Sequence, residues 1–590
     1  MYSKTVSGIM LLSLIVVSIL VLTFNIQPAI TEHNTIIVPD DYPTIQEAVN
    51  SANSGDIIFV KAGVYYENVV VNKSVSLIGE NINTTIIDGK GNGNVLEITA
   101  CNVSITGFTI RNSARTDLLD LPNRGCGIKV LTIYNNIRGN FITNTTAGIY
   151  CSSEQYTLKH NIFSKNTIHA CKFGIYFSCS YYSTISDNLI ISRSYAIYGG
   201  GAYNEIGRNK ILSAWKGISL WFPRNCTIRD NRILNVSHAI ELIQGIKNVI
   251  EGNLIHCRQS VHDVGIDLCL SNHTIIRGNI IVDSGRGLFL DRSSNNAVFH
   301  NNFLNNMKQV RTYSSINNTF DNGYPSGGNY WSNYVGIDVN SGLFQNMTSS
   351  DGIGDTPYVI DEDNVDNYPL MAPFSSFAVC WNETSYQVDF VSNSTISNHN
   401  FNGTEKLLSF NVEGPDNTLG ICRVTIPKSL MKPSSSEDWQ ITVDVHPPLL
   451  TNIIEGENET YLYFTYRHSI HEIKIKIVTQ KTLLGTGWGW MRISPKQYVY
   501  GPAKLYKIGE SQIELIITHQ GEDYSRTWNI IWHKEYKNQE IYYCFNPEYG
   551  PLMVVIYELK WSFWSAVGKD TVAFKFPAGF GFPRFKIYPI

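Results

Sequence analysis

Between residues 127 and 290 a small residue followed by an aliphatic one recurs along the chain. The pairs are Gly127-Ile128, Gly148-Ile149, Gly174-Ile175, Ala196-Ile197, Gly217-Ile218, Ala239-Ile240, Gly265-Ile266 and Gly287-Leu288, at steps of 21, 26, 22, 21, 22, 26 and 22 residues. A second column keeps pace: Asn140, Asn161, Asn188, Asn209, Asn231, Asn253, Asn279 and Asn302. Around each Asn an aliphatic or Phe sits three before and another two after, as in Ile228-x-x-Asn231-x-Ile233. A period near 22 with short alternating runs predicts one turn of a parallel β-solenoid, because successive coils pair at about 4.8 Å and none buries its apolar face alone. The inward columns then read Ile128 to Leu288 and, two residues on, Val130, Cys151, Phe177, Gly199, Leu220, Leu242, Leu268 and Leu290. The Asn column forms an amide ladder at a bend. The two steps of 26 residues call for extra loop, between Ile149 and Phe173 and between Ile240 and Val264.

Upstream, Asp56 to Gly107 has the same texture. Before it, Thr44-Ile45-Gln46-Glu47 is a capping box that opens a short helix with Ile45, Ala48, Val49 and Ala52 as its apolar stripe and Gly55 after its end. Such a helix plugs the open end of a solenoid and covers its edge. From Ser375 the repeat is gone and alternating runs predict a β-sandwich-like domain. Residues 483–590 are again strand-like and hold Trp488, Trp490, Trp528, Trp532, Trp561 and Trp564. The expected organisation is a leader over 1–30, a solenoid over 34–326, a closing segment over 327–374, a β-sandwich-like domain over 375–480 and an aromatic-rich β domain over 481–590.

Composition supports an exported all-β protein. The chain has 590 residues, 43% of them hydrophobic and only 16% charged, with a formal net charge of −4. No Lys/Arg block stands out, so a nucleic-acid partner drops out. Lys4 precedes an uncharged run from Ser7 to Phe24, which reads as a signal peptide or an uncleaved signal anchor. Any membrane contact is expected through that segment alone. Thirteen N-x-S/T sequons, at Asn72, Asn83, Asn102, Asn144, Asn225, Asn235, Asn272, Asn317, Asn346, Asn382, Asn393, Asn402 and Asn458, are candidate glycosylation sites on the outside of a cell. The eleven cysteines have no zinc-like spacing; Cys380 and Cys422 are a candidate disulfide.

The register maps the outer surface as well, since successive strand residues alternate faces. One outward column reads Lys129, Tyr150, Tyr176, Tyr198, Ser219, Glu241, Asp267 and Phe289. The next holds Trp221 and Asp291. Tyr150, Tyr176, Tyr198 and Trp221 are candidate ligand-binding residues, because flat aromatic faces beside hydrogen-bonding groups suit sugar rings. Glu241 and Asp267, one rung apart, fall near the ~5 Å separation of a retaining glycosidase pair, and Glu241 with Asp291 closer to the ~6.5–9.5 Å inverting range. A lyase would instead need a bridging Ca²⁺ and a Lys/Arg base. Asp351 and Asp355, in an acidic, Gly-punctuated loop, are candidate Ca²⁺ ligands.

Residues 38–110 and the repeats resemble the pectin-lyase-like right-handed parallel β-helix family, including its carbohydrate-binding and sugar-hydrolase domains. Gly327-Gly-Asn-Tyr-Trp-Ser-Asn-Tyr334, Asp351-Gly-Ile-Gly-Asp-Thr-Pro-Tyr358 and Asp366-Asn-Tyr-Pro-Leu370 are similar to the closing motif of NosD-like proteins found in many archaeal surface proteins. The resemblance implies a right-handed parallel β-helix at or outside the cell surface; with the alternating runs after Ser375, the expected fold is all-β, that solenoid followed by one or two β-sandwich-like domains. Copper handling, which the NosD likeness also implies, wants Met/His/Cys clusters, and none is visible. Two functions stay open: a non-enzymatic binder of polysaccharide or cell-envelope glycan, and a glycosidase or polysaccharide lyase using Glu241, Asp267 and Asp291.

Overall fold

The computed structural model describes residues 34–575 apart from 115–124, 154–156, 434–435, 479–480, 495–496, 509–511, 521, 537–538, 547–549, 558–559 and 565–572. The leader segment, residues 1–30, lies outside the described residues. Among the described residues no helix is long and apolar enough to cross a membrane. The chain divides into two compact units, one formed by residues up to 335 with 356–369, the other by 336–355 with 370 onward.

The first unit is a parallel β-solenoid of about twelve turns. One of its sheets has twelve strands, from Thr35–Val38 through Thr184–Ser186 to Ala297–Phe299, each paired in parallel with the strand of the next coil. The Ile column stacks as the repeat predicts: Ile128 pairs with Ile149, Ile149 with Ile175, Ile175 with Ile197, and so on to Ile266 with Leu288. Every member of that column is fully buried, as is the second column apart from Gly199, which has no side chain to bury. A coil of short strands has too little apolar surface to stand alone, and stacking supplies the missing half of each inward residue's contacts.

The Asn ladder is present with two changes of membership. It runs Asn140, Asn166, Asn188, Asn209, Asn231, Asn253, Asn279, Asn301 and Asn329; each Oδ1 accepts from the backbone N–H and side-chain amide of the Asn on the preceding coil. Asn161 belongs to another bend, where Asn135, Asn161, Ser183 and Asn204 succeed one another. Because the inserted loop precedes both bends, a 21-residue step from Asn140 lands on the wrong ladder. Asn302 is the neighbour of the true member Asn301 and opens the strand Asn302–Leu304.

The N-terminal plug is the helix Ile45–Ser51, with Ile45, Ala48 and Val49 buried. Thr44 accepts from Glu47 N–H, and the carboxylate of Glu67 takes the amides of Ile45 and Gln46 at 3.0 Å each. This satisfies three of the amides that a helix start leaves without partners. At the other end, Asn329 closes the ladder on Asp366, whose Oδ2 accepts from Asn329 N–H at 2.8 Å and Trp331 Nε1 at 2.9 Å. Burial pushes the Asp366 carboxyl up to about 7. Trp331 is sandwiched between Phe303 and Tyr358, each ring 4.5 Å away. Asn329, Trp331, Tyr358 and Asp366 of the closing motif thus cap the solenoid, while its residues 351–355 belong to the second unit.

In the second unit, a five-stranded sheet (Phe374–Trp381, Thr384–Ser392, Leu419–Pro427, Glu459–Arg467, Leu450–Glu455) and a four-stranded sheet (Thr395–Asn402, Leu407–Glu413, His471–Ile477, Trp439–Val443) share one core. Phe390, Cys422 and Phe464 from the first meet Phe410, Ile441 and Ile475 from the second. This is a β-sandwich. Cys380 and Cys422 are both free thiols, so the disulfide expectation fails: Cys380 is exposed while Cys422 points into the core. Beyond it, strands from Lys481–Ser494 to Ala573–Lys575 form an eight-stranded antiparallel sheet that carries the six tryptophans.

Candidate functional site

Four consecutive strands of the solenoid are unusually long: Thr167–Tyr181, Leu189–Ala202, Lys210–Trp221 and Arg232–Ile243, with 15, 14, 12 and 12 residues. They run on through bends that other coils make with loops, and so spread a broad outer face. The predicted outward column is in register on it: Tyr150, Tyr176, Tyr198, Ser219, Glu241, Asp267 and Phe289 pair in that order. Another column, three residues before it and sharing no residue type from rung to rung, is also in register: Ala147, Phe173, Tyr195, Lys216, His238, Val264 and Arg286.

A third aromatic row lies on a turn, where Tyr134, His160, Tyr182 and Tyr203 all adopt left-handed φ between 53° and 61°. Their rings stack at 4.9, 5.4 and 4.8 Å and within 13° of parallel. Left-handed backbone is costly for bulky residues, and ring stacking offsets part of that. The signal was in the sequence, since each of the four immediately precedes a member of the second polar ladder (Asn135, Asn161, Ser183, Asn204).

All three aromatic columns end on the same coil. Phe173 stacks on Tyr195 at 5.6 Å, Tyr150 on Tyr176 at 4.9 Å, and Tyr182 on Tyr203 at 4.8 Å. The next coil offers Lys216, Ser219 and Asn225 at these positions instead. Beside the ends of two of these columns, Tyr198 and Tyr203, lies a cleft of about 630 Å³ lined by Tyr176, Tyr181, Tyr198, Tyr203, Trp221 and Phe222 with Arg224 and Asn225. Its floor is Gly199-Gly200-Gly201. A Cβ on Gly200 would lie 2.1 Å from the Trp221 carbonyl oxygen, and one on Gly201, at φ 140°, 1.9 Å from that of Ser180. Only glycine permits this close approach. Trp221 is 45% exposed and Phe222 55%, so large rings stand open to solvent around a bare backbone floor.

Next to the aromatic step sits a charged cluster. Glu241 points outward yet is only 7% exposed. Its two oxygens are held by Lys216 Nζ and Ser219 Oγ, both at 2.5 Å. Asp267 is on the following rung, directly in register with Glu241. Burial, reinforced by the Glu241 charge, raises its carboxyl to about 7. His238, paired in register with Lys216, is held below the usual imidazole range by burial and by that ammonium group, and its Nδ1 is buried without a hydrogen-bond partner. The arrangement joins a fixed carboxylate, a carboxyl poised to carry a proton at neutral pH, and a neutral imidazole.

The remaining sequence-predicted residues lie elsewhere. Asp291 pairs with Cys269, in the adjoining column, and is clasped by Arg292 at 3.1 Å, which lowers its carboxyl. Asp351 and Asp355 are in the second unit. Asp351 Oδ1 accepts from Ile353 N–H, and Asp355 accepts from Val339 and Asn340. Among the described residues no group of three or more His, Cys, Asp or Glu is placed to hold a metal ion. The thirteen sequon asparagines are all exposed or half-buried, whereas the ladder asparagines are buried.

With this geometry in hand, comparison with known proteins is informative. A family model described as periplasmic copper-binding protein (NosD) matches residues 49–214 and 194–336. Among the described residues no three His, Cys, Asp or Glu stand together as metal ligands, so the copper of that description does not fit them. A cell surface glycoprotein of Methanothermus fervidus is 27% identical over 321 residues, covering 50% of this chain and 51% of that protein. A probable pectinesterase/pectinesterase inhibitor of Arabidopsis thaliana is 47% identical over 60 residues, or 9% of this chain and 11% of its own. The chain thus spans about half or less of the length of these curated relatives. Among solved structures, XylC in complex with xylose has 10% identity and a TM-score of 0.37, covering 68% of this chain and 92% of that one. DFA-IIIase from Arthrobacter chlorophenolicus has 12% identity and a TM-score of 0.38, covering 49% and 96%. Residues 49–336, and with them nearly all of the solenoid, belong to the NosD family of pectin-lyase-like parallel β-helix proteins.

Proposed function

We propose that this chain is a cell-surface protein that binds polysaccharide or cell-envelope glycan in the cleft between Tyr176, Tyr198, Tyr203 and Trp221. The observation that carries the reading is the cleft in which two aromatic columns end, at Tyr198 and Tyr203, beside the Gly199-Gly200-Gly201 backbone and the open rings of Trp221 and Phe222. Pyranose rings have apolar faces and polar edges, and this step offers ring faces beside Arg224 and Asn225. Tyr176, Tyr198 and Tyr203 are held against neighbouring rings, so they lose little side-chain entropy on binding. Similarity to a cell surface glycoprotein supports the location, and the exposed sequons fit a glycosylated outer surface.

The test is binding of the purified protein, made in a host without N-glycosylation so that Asn225 is bare, to an immobilised panel of neutral and acidic polysaccharides. Trp221→Ala and Tyr198→Ala are each expected to weaken binding about 5- to 30-fold, the effect of losing one ring contact of about 1–2 kcal/mol. Binding that survives both substitutions unchanged, or no binding to any glycan, overturns the reading.

A second reading, glycoside hydrolysis, is favoured by one specific observation. Asp267, raised to about 7, stands one rung from Glu241, which is fixed by Lys216 and Ser219. Strand spacing of about 4.8 Å puts the two carboxyl groups near the retaining-enzyme separation. In this reading Asp267 is the general acid and Glu241 the nucleophile. Release of reducing ends that disappears in Glu241→Gln and in Asp267→Asn establishes it; turnover that persists in both variants excludes this pair.

A further inference from the structure

The turn ladder Tyr134–His160–Tyr182–Tyr203 stops one coil short of a sequon. Ala202 bridges in parallel to Arg224, and Tyr203 N–H donates to the Arg224 carbonyl, so Asn225 is the residue that follows Tyr203 in the column. Asn225 shares the left-handed turn conformation of the ladder, at φ 49°, and its side chain is exposed. Tyr203 is stacked on Tyr182 through one face, with a 5° angle between the rings, and is itself 48% exposed. Both Tyr203 and Asn225 line the cleft, and Asn225 is the one sequon asparagine of the thirteen that does so.

We infer that Asn225 is N-glycosylated and that its first sugar takes the next place in the ladder, stacking on Tyr203 and filling the cleft. A pyranose attached at Nδ2 begins one coil, about 4.8 Å, beyond the ring of Tyr203, which is the spacing at which the ladder's own rings stack. Its apolar face then covers the ring face that the ladder leaves open, and Trp221 and Phe222 flank the second sugar. The attachment follows ordinary amide glycosylation. Nδ2 attacks C1 of a glycosyl group carried on a lipid phosphate or diphosphate, and the C1–O bond to the phosphate breaks. The phosphate leaves with the bonding pair, and the amide proton passes to a base of the transferase. The consequence is a gate: the cleft takes external glycan only in molecules whose Asn225 is bare. This rests on reading the cleft as a sugar seat, and it adds that the first sugar seated there is the chain's own.

The experiment uses full-length protein from a host that performs N-glycosylation. Peptide mass mapping reports occupancy of Asn225. Thermal unfolding is then compared for wild type, Asn225→Gln, Tyr203→Ala and the double variant, with Tyr203→Leu in reserve if the alanine variant does not fold. The expected result is a glycosylated Asn225 peptide and a midpoint lowered by about 2–4 °C in Asn225→Gln. That difference should vanish when Tyr203 is replaced. In the polysaccharide panel, Asn225→Gln should bind at least about tenfold more tightly than the glycosylated protein. A bare Asn225 peptide, or an equal loss with and without Tyr203, overturns the inference. If coupling to Tyr203 persists but Asn225→Gln binds no panel glycan, the external-ligand reading fails while the seat for the chain's own sugar stands.

Discussion

Glu241 and Asp267 occupy adjacent rungs of the same outward column, but only Glu241 has cationic and hydroxyl partners holding both of its oxygens. Lys216 and Ser219 hold the Glu241 carboxyl group in place, whereas burial, reinforced by the Glu241 charge, pushes Asp267 up to about 7.

A pH dependence of stability follows from Asp267. Its carboxyl titrates near 4 when unfolded and near 7 when folded, so between these values the folded state holds the extra proton. The stability it contributes is complete below pH 4 and is lost as pH rises through 7. Asp267→Asn should therefore show a flatter profile across this window and exceed wild type at pH 8 by about 2 kcal/mol, roughly half the full linkage value because the side chain keeps some water contact. Urea unfolding at pH 4.5, 6 and 8 checks this. Parallel wild-type and variant profiles would show that Asp267 ionises normally.

The Asn ladder makes a prediction about stability unrelated to any ligand. Asn231 accepts from Asn209 N–H and its side-chain amide, and donates to the Ile206 carbonyl and Asn253 Oδ1, all at 2.9 to 3.0 Å. It is 1% exposed, so no water replaces what is removed. Asn231→Ala should cost about 2–4 kcal/mol, since at least two buried polar groups lose a partner. The exposed neighbour Arg232 should tolerate Ala within about 0.5 kcal/mol. The quantity to follow is the unfolding of the solenoid itself in denaturant, read by hydrogen exchange of the ladder amides so that the two compact units are not averaged into one transition.

How far the sequence revealed all this depends on what each column does. The Ile column was legible because inward residues meet only copies of themselves across coils, so one residue type satisfies every rung. The Asn ladder was legible in kind but not in membership: Asn161 and Asn166 differ by five residues and both fit an amide column. The outward order Tyr150, Tyr176, Tyr198, Glu241, Asp267 followed from alternation. The burial of Glu241 did not, since it depends on Lys216, 25 residues earlier, in a column whose members (Ala147, Phe173, Tyr195, Lys216, His238) share no chemistry from rung to rung. The coincident end of three aromatic columns is a property of the stack, and no single coil carries it.

Gly200 is expected to be intolerant of any side chain. Its Cβ would lie 2.1 Å from the Trp221 oxygen and 3.2 Å from the Trp221 carbonyl carbon, so Gly200→Ala must push two coils apart. A cost above about 2 kcal/mol is anticipated, with loss of panel binding because the cleft floor rises under Trp221. Gly91, at φ 79° but with open space around its Cβ position, is the comparison: Gly91→Ala should pay only for the strained φ, about 1 kcal/mol. Equal stability of the two variants would mean that the coils at Gly200 are looser than the spacing implies.

Sequon occupancy should divide according to what each amide already does. Asn393 is tied at both ends, its Nδ2 donating to the Leu419 carbonyl and its Oδ1 accepting from Ile421 N–H, both at 2.9 Å. Asn144 Nδ2 donates to Asn112 Oδ1 at 2.6 Å. A sugar on either nitrogen replaces one of its two hydrogens and places a bulky group against the partner strand or coil. Asn72 and Asn83, by contrast, are exposed. Peptide mapping of protein from a glycosylating host should find Asn72 and Asn83 occupied in most molecules and Asn144 and Asn393 in few. Asn393→Ala should lower sandwich stability by about 1–2 kcal/mol, the worth of its two hydrogen bonds, whereas Asn72→Ala should stay within about 0.5 kcal/mol. Full occupancy of Asn393 would mean that its two hydrogen bonds form only after glycan transfer, or not at all, and would remove the clamp it makes on Leu419–Pro427.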